Sequence, residues 1–141
     1  TAMTDQELIR RALLARERAY TPYSHFQVGA ALLTRTGTVY PGCNIENAAY
    51  TPTNCAERTA FFSAVAQGER DFAAIAIVGG PQGGVLDYTA PCGVCRQVMM
   101  EFCDPDTFRI LAARSPEDYR VFTLRELMPQ SFGPADLAKK S

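Results

Sequence analysis

The sequence predicts an α/β domain, a five-stranded mixed sheet with helices on both faces. Three observations point there. Stretches of helical period alternate with short apolar runs in the order helix, strand, strand, helix, strand, helix, strand, strand. The strand before Gly79 and the one at Phe108 are joined through a helix, which makes that pair parallel. The last two strands are about six residues apart, and a parallel crossover needs roughly a dozen, so they run antiparallel. With 141 residues, 47% of them apolar, the chain is sized for one domain spanning residues 1–141.

Each element has a local reason. Thr4-Asp5-Gln6-Glu7 is a capping-box start, and Leu8, Ala12 and Ala15 to Ala19 recur at helical spacing, giving a helix over 5–19 that ends at Thr21-Pro22. Residues 27–34 and 38–43 flank Arg35-Thr36-Gly37 and read as a hairpin. Residues 42–54 lack a period and read as loop. Residues 55–66 have helix-forming composition. The apolar run 72–78, ending in Gly79-Gly80-Pro81, reads as a buried strand. From Cys92, the positions Val94, Val98, Met99 and Phe102 follow helical period until Asp104-Pro105. Residues 108–112 and 120–123 are the last strands, and 124–128 form a helical turn.

Composition narrows the function. Fourteen basic residues against fifteen acidic ones leave a net charge of -1, which gives no electrostatic reason to bind a nucleic-acid polymer. The only lysines are Lys139 and Lys140, and the basic cluster Arg10, Arg11, Arg16 and Arg18 is interleaved with Glu7 and Glu17 as on a solvated helix face. No apolar stretch approaches a membrane span. The start lacks a signal pattern, which predicts a cytoplasmic protein. Five cysteines without a secretory signal suggest metal or thiol chemistry rather than disulfides.

Pro91-Cys92-Gly93-Val94-Cys95 sets two thiols on one face of a helix start, where orphan amides and the helix dipole favour thiolate. Alone, the pair reads equally as half a metal site or as a redox dithiol. Cys55-Ala56-Glu57 adds a third thiol at another helix start, with a carboxylate two residues on. Three cysteine ligands leave one tetrahedral position of a zinc ion open, as in catalytic sites, where Glu57 can move a water's proton. Three thiolates around Zn2+ leave one net negative charge, which two helix N-termini and Arg58 can offset.

These motifs resemble the zinc signature of nucleobase deaminases. The whole chain, through Tyr23-Ser24-His25-Phe26, Val28-Gly29-Ala30-Ala31-Leu32, Gly42-Cys43-Asn44-Ile45-Glu46-Asn47-Ala48-Ala49-Tyr50 and Ser131-Phe132-Gly133-Pro134, is similar to the small homotetrameric cytidine deaminases. The resemblance implies their three-layer α/β/α fold with antiparallel final strands. It implies one zinc per chain on Cys55, Cys92 and Cys95, with Glu57 as proton shuttle. It further implies Asn44 and Glu46 on the ribose, the Ala56 amide on the base edge and Phe26 against the pyrimidine. Tyr50 and Phe132 would reach a site across a subunit boundary. The implied reaction is hydrolytic deamination of cytidine and deoxycytidine in pyrimidine salvage, in active sites shared within a homotetramer. The nearest alternative in the same fold is an antibiotic-nucleoside deaminase; the Asn-Ile-Glu-Asn-Ala-Ala-Tyr loop favours plain cytidine.

Plainer readings stand beside these. By pattern alone Phe26 is core, Asn44 and Glu46 are turn and surface residues, and His25 is structural. Cys43 and Cys103 read as small buried hydrophobes, and Phe61 and Phe62 as core. A thiol–disulfide oxidoreductase would leave Cys55 and Glu57 without a role, and a non-catalytic zinc domain would not need Glu57.

Overall fold

Alternation of apolar side chains along the strands builds the layers. The computed structural model describes residues 2–138; residue 1 and residues 139–141, both lysines among them, lie outside the described residues. In chain order the elements are α1 (Asp5–Arg16), β1 (Phe26–Thr34), β2 (Val39–Cys43), α2 (Ala56–Ala66), β3 (Phe72–Pro81), α3 (Gly93–Phe102), β4 (Arg109–Ser115), β5 (Asp118–Thr123), α4 (Leu124–Leu127) and α5 (Pro134–Ala138). The sheet order is β2-β1-β3-β4-β5. Only β3 and β4 pair in parallel; β4 and β5 run antiparallel, as the short connection requires.

Successive strand residues point to opposite faces. Ala30, Leu32, Ile75, Ile77 and Ile110 pack with α2 and α3, where Phe61 sits among Phe72, Phe102 and Phe108. Ala31, Ala74, Ala76, Val78, Leu111 and Ala113 pack on the other face against Leu8, Ile9 and Ala12 of α1. Glycine sets how closely the helices approach. A Cβ on Gly29 would lie 2.1 Å from the Ala12 carbonyl oxygen of α1, and one on Gly42 would lie 2.3 Å from that of Ala56 in α2.

Several expectations need correction. Helix α1 stops at Arg16, not 19, because residues 17–19 tighten into i→i+3 turns and Tyr20 pairs with the 44–46 loop. The Arg16 guanidinium turns toward the sheet end, donating to the carbonyls of Gln27, Gly80 and Pro81. Strand β3 runs through Gly79 and Gly80 to Pro81, because these residues pair with Val28, Gln27 and Phe26. Their missing side chains make room for the 82–91 loop, since a Cβ on Gly80 would meet the Val85 oxygen at 2.8 Å. Strands β4 and β5 extend toward each other and leave only residues 116–117 between them. Phe62 is 47% exposed: it lies about 100° around α2 from the buried Phe61 and leaves the core. Helix α5 was not expected; it opens on Pro134, with Asp136 capping the Gly133 amide.

Candidate active site

The ends of β1, β2 and β3 meet the starts of α2 and α3 on one side of the sheet, and the chemistry collects there. Cys55 is the N-cap of α2 and Cys92 the N-cap of α3, and neither side chain makes a capping hydrogen bond. Cys95 follows in the first turn of α3, buried. The Cys55 and Cys92 sulfurs are 3.8 Å apart, those of Cys92 and Cys95 3.5 Å, and all three lie within 4.8 Å of one another. Tetrahedral zinc with Zn–S of about 2.3 Å holds its sulfurs about 3.8 Å apart, so this trio fits the ion. All five cysteines are free thiols.

Charge around the trio is arranged unevenly. Arg58 Nη2 donates to Cys55 Sγ at 3.3 Å. The neighbouring Cys95 thiol and the Arg58 guanidinium hold Cys55 down to about 5, against the opposing effect of burial. Cys95 moves the other way: its hydrogen bond to Cys55, and then burial, hold its thiol well above the usual range. The Arg58 Nε is buried without a partner, so this guanidinium is committed to the sulfur side. Cys43 and Cys103 remain outside the cluster; Cys103 is buried as expected, Cys43 only half-buried, and burial raises the pKa of both thiols.

Glu57, in the first turn of α2, is only 4% exposed. Burial pushes its carboxyl up to about 7 and the Cys55 charge adds to the rise, while hydrogen bonds from its own amide and the Cys95 thiol oppose it. A carboxyl poised near neutrality, beside a metal trio, can both accept and return a proton.

Asn44 and Glu46 lie where β2 runs out, and both brace backbone. The Asn44 Oδ1 accepts from the Val28 amide at 2.9 Å, and its Nδ2 donates to the Phe26 carbonyl at 2.8 Å. Glu46 Oε1 accepts from the amides of Tyr23 and Ser24, and the Ser24 hydroxyl donates to its other oxygen. Those bonds, the Ser24 hydroxyl first, keep the Glu46 carboxylate below its ordinary range. An amide and a carboxylate so fixed each keep acceptor or donor capacity for a ligand. The loop between them is tied to the first cysteine: Ile45 and Asn54 exchange both backbone hydrogen bonds, and Cys55 follows directly.

Phe26 opens β1 opposite Pro81 and is 40% exposed, so it is not core. Ala56 is fully buried at the first helical position of α2. Tyr50 and Phe132 are among the most exposed aromatics; Tyr50 stands edge-on to Tyr23 at 6.0 Å, and Gln97 Nε2 donates to the Phe132 carbonyl at 2.9 Å. His25 occupies a left-handed turn, φ 58, before β1, in line with a structural role. Residues not singled out from sequence include Ser24, which holds Glu46, and Arg96, which bonds the Pro91 and Leu127 carbonyls. Arg96 stands in the turn after Cys92, a placement the sequence does carry.

The family described as the cytidine and deoxycytidylate deaminase zinc-binding region matches residues 2–110. The chain is 48% identical over 136 residues to a cytidine deaminase of Sporosarcina psychrophila, covering 96% of each. It is 50% identical over 135 residues to one of Halalkalibacterium halodurans, covering 96% of this chain and 98% of that one. Among solved structures, a cytidine deaminase from Burkholderia pseudomallei superposes with a TM-score of 0.84 at 51% identity, over 92% of this chain and 100% of that one.

Proposed function

The chain belongs to the cytidine and deoxycytidylate deaminase zinc-binding family, and from that premise we propose that it is a cytidine deaminase, hydrolysing cytidine and deoxycytidine to uridine and deoxyuridine. The observation that carries the reading is the trio Cys55, Cys92 and Cys95 at zinc spacing with buried Glu57 in the same helical turn as its first member. Zinc held by the three thiolates supplies a Lewis acid that brings a water's pKa toward neutrality.

The residues of the chain supply the rest. Glu57 would take a proton from the attacking water and deliver it to N3 of the base as the water oxygen adds to C4. It then carries the second proton to the exocyclic amine, which leaves as ammonia. One carboxyl can serve both transfers because it is buried beside the trio, within reach of the site and shielded from bulk water. Asn44 and Glu46 orient the ribose through its 3'-hydroxyl, which leaves the 2' position unread and admits deoxycytidine. Phe26 packs on the pyrimidine, and the Ala56 amide meets the base edge. Arg58 offsets the excess negative charge of the trio through its bond to Cys55.

The working form in this proposal is a cytoplasmic homotetramer of single-domain chains. Its support is that Cys92, Tyr50 and Phe132 are exposed in the single chain, so that a neighbouring subunit would complete and close the site. No described helix is long and apolar enough to cross a membrane. The test is ammonia release from cytidine by purified protein, with and without a zinc chelator, alongside Glu57→Gln. We expect one zinc per chain, loss of activity on chelation, and a variant that keeps zinc but loses turnover by orders of magnitude. Near-parent turnover by Glu57→Gln would refute the assignment.

A further inference from the structure

The loop from residue 82 to 91 delivers Cys92 to the metal trio, yet it carries no helix or strand of its own. It returns across the end of β3, where the Asp87 amide donates to the Gly79 carbonyl at 3.1 Å. Gly79 and Gly80 are close enough to this loop that a Cβ on either would collide with it, at 2.5 Å from the Thr89 hydroxyl and 2.8 Å from the Val85 carbonyl. One side chain then reaches out of the loop to the far edge of the sheet. The Tyr88 hydroxyl donates to Asp118 at the start of β5. Its ring lies 4.1 Å from the Arg120 guanidinium carbon and 5.5 Å from that of Arg114, and Arg114 also pairs with Asp118 at 3.6 Å.

We propose that Tyr88 is a positioning residue for the metal centre, clamped by Arg114, Arg120 and Asp118 of the β4–β5 hairpin so that the chain arrives at Cys92 in one conformation. The inference rests on the zinc deaminase reading. Of the three ligands Cys92 depends most on the incoming chain: it is exposed, it is an N-cap, and its side chain makes no cap bond. Cys95 is held within α3, and Cys55 by α2 and the Ile45–Asn54 pairing. Arg96 grips the Pro91 carbonyl at 2.7 Å from the helix side, and Tyr88 supplies the other anchor three residues earlier. Between those two points lie only Thr89 and Ala90. The ring, its face turned to two cations, carries most of the clamp, and the hydroxyl adds the bond to Asp118.

Zinc release to a chromogenic chelator tests this, together with the visible spectrum of the cobalt-substituted protein and thermal stability. Tyr88→Ala is expected to release zinc roughly tenfold faster, the lower end of what substitutions outside the ligand set cause. Its cobalt–thiolate absorption should also shift. Tyr88→Phe keeps the ring between the guanidiniums and should restore most of the parent behaviour. Arg35→Ala, which breaks an exposed ion pair with Asp71 at the opposite end of the sheet, should release zinc at the parent rate. Equal acceleration in Arg35→Ala and Tyr88→Ala would mean a general loss of stability and overturn the proposal. If Tyr88→Ala does not fold, Arg120→Gln replaces it: faster release supports the clamp, and parent-like release overturns it. A parent that binds zinc and deaminates cytidine, beside a Tyr88→Ala that holds zinc as tightly, overturns this inference alone. A parent that binds no zinc overturns the deaminase reading as well.

Discussion

Adding one methyl group at Gly42 tests how the sheet sets the active site. The new Cβ would stand 2.3 Å from the Ala56 carbonyl oxygen, 2.6 Å from the Ala60 nitrogen and 2.9 Å from the Ala60 Cβ. Ordinary carbon–oxygen contact begins near 3.3 Å, so about 1 Å of separation must be found. Strand β2 is bonded to β1 through five register pairs, Gly29↔Cys43 to Leu33↔Val39, and cannot lift off without losing directional bonds. The first turn of α2 rests on small alanines and yields instead, carrying Cys55 and Glu57 with it. Zinc ligands tolerate displacements of only about 0.2 Å, and a 1 Å misplacement of reacting groups lowers rates roughly a hundredfold. Gly42→Ala should therefore lose about 1–3 kcal/mol of stability to overpacking, bind zinc more weakly and turn over cytidine about a hundredfold more slowly. Gly37→Ala is the control. Its φ of 96 makes the substitution strained, but nothing lies within 4 Å of the new Cβ, so stability should fall by about 1 kcal/mol with zinc content unchanged. The measurements are urea unfolding, zinc content after dialysis and initial rates. A Gly42→Ala protein that is destabilised yet fully zinc-loaded and as fast as the parent would show that β2 moves instead, and the reasoning would be wrong.

Two further predictions concern charge in the metal-free chain. The folded Glu57 carboxyl keeps its proton up to about pH 7, whereas an unfolded glutamic acid titrates near 4.3. Between those values the folded state binds more protons than the unfolded one. This group's contribution to stability thus falls as pH rises through that window, by about 4 kcal/mol at most. Glu57→Gln should abolish that part of the slope in urea unfolding of chelator-treated protein, and an unchanged slope would contradict the buried-acid assignment. Arg58→Ala removes the 3.3 Å contact with Cys55, so the Cys55 thiol should rise from about 5 and its alkylation at neutral pH should slow. An alkylation profile identical to the parent's would mean that Arg58 does not tune the trio.

What sequence makes legible here is what neighbours in the chain decide. The Thr4 hydroxyl accepts from the Glu7 amide at 3.1 Å, as the capping-box pattern implies. Cys92 and Cys95 share a helical turn whatever the rest of the fold does. Helix α1 ends before residue 19 because Tyr20 pairs with Ile45, far along the chain, and no local pattern carries that. Gly79-Gly80-Pro81 looked like a strand end because glycine and proline usually interrupt strands. Here the glycines give a neighbouring loop room to cross. Phe61 and Phe62 differ only in where α2 points them. Asn44 and Glu46 were visible through family resemblance, but their backbone partners in 23–28 depend on the close of β2 against β1.

The two helices that form the metal site depart from the local rule that the other capped helices obey. Thr4 caps α1 and Thr123 caps α4 with a side-chain hydrogen bond, the second as a full capping box. At the same position α2 and α3 have Cys55 and Cys92, which make no such bond. Losing a good cap costs about 1 kcal/mol per helix, so these starts are weaker than serine or threonine would make them. Without that cap bond, the positive ends of the two helix dipoles lie at Cys55 and Cys92, where they favour thiolate over thiol. Three thiolates on one zinc ion leave a net negative charge, and the Arg58 guanidinium, 3.3 Å from Cys55 Sγ, stands where it can offset that charge. Both local deficits fall where the chemistry is, which is where departures from structural consistency are expected.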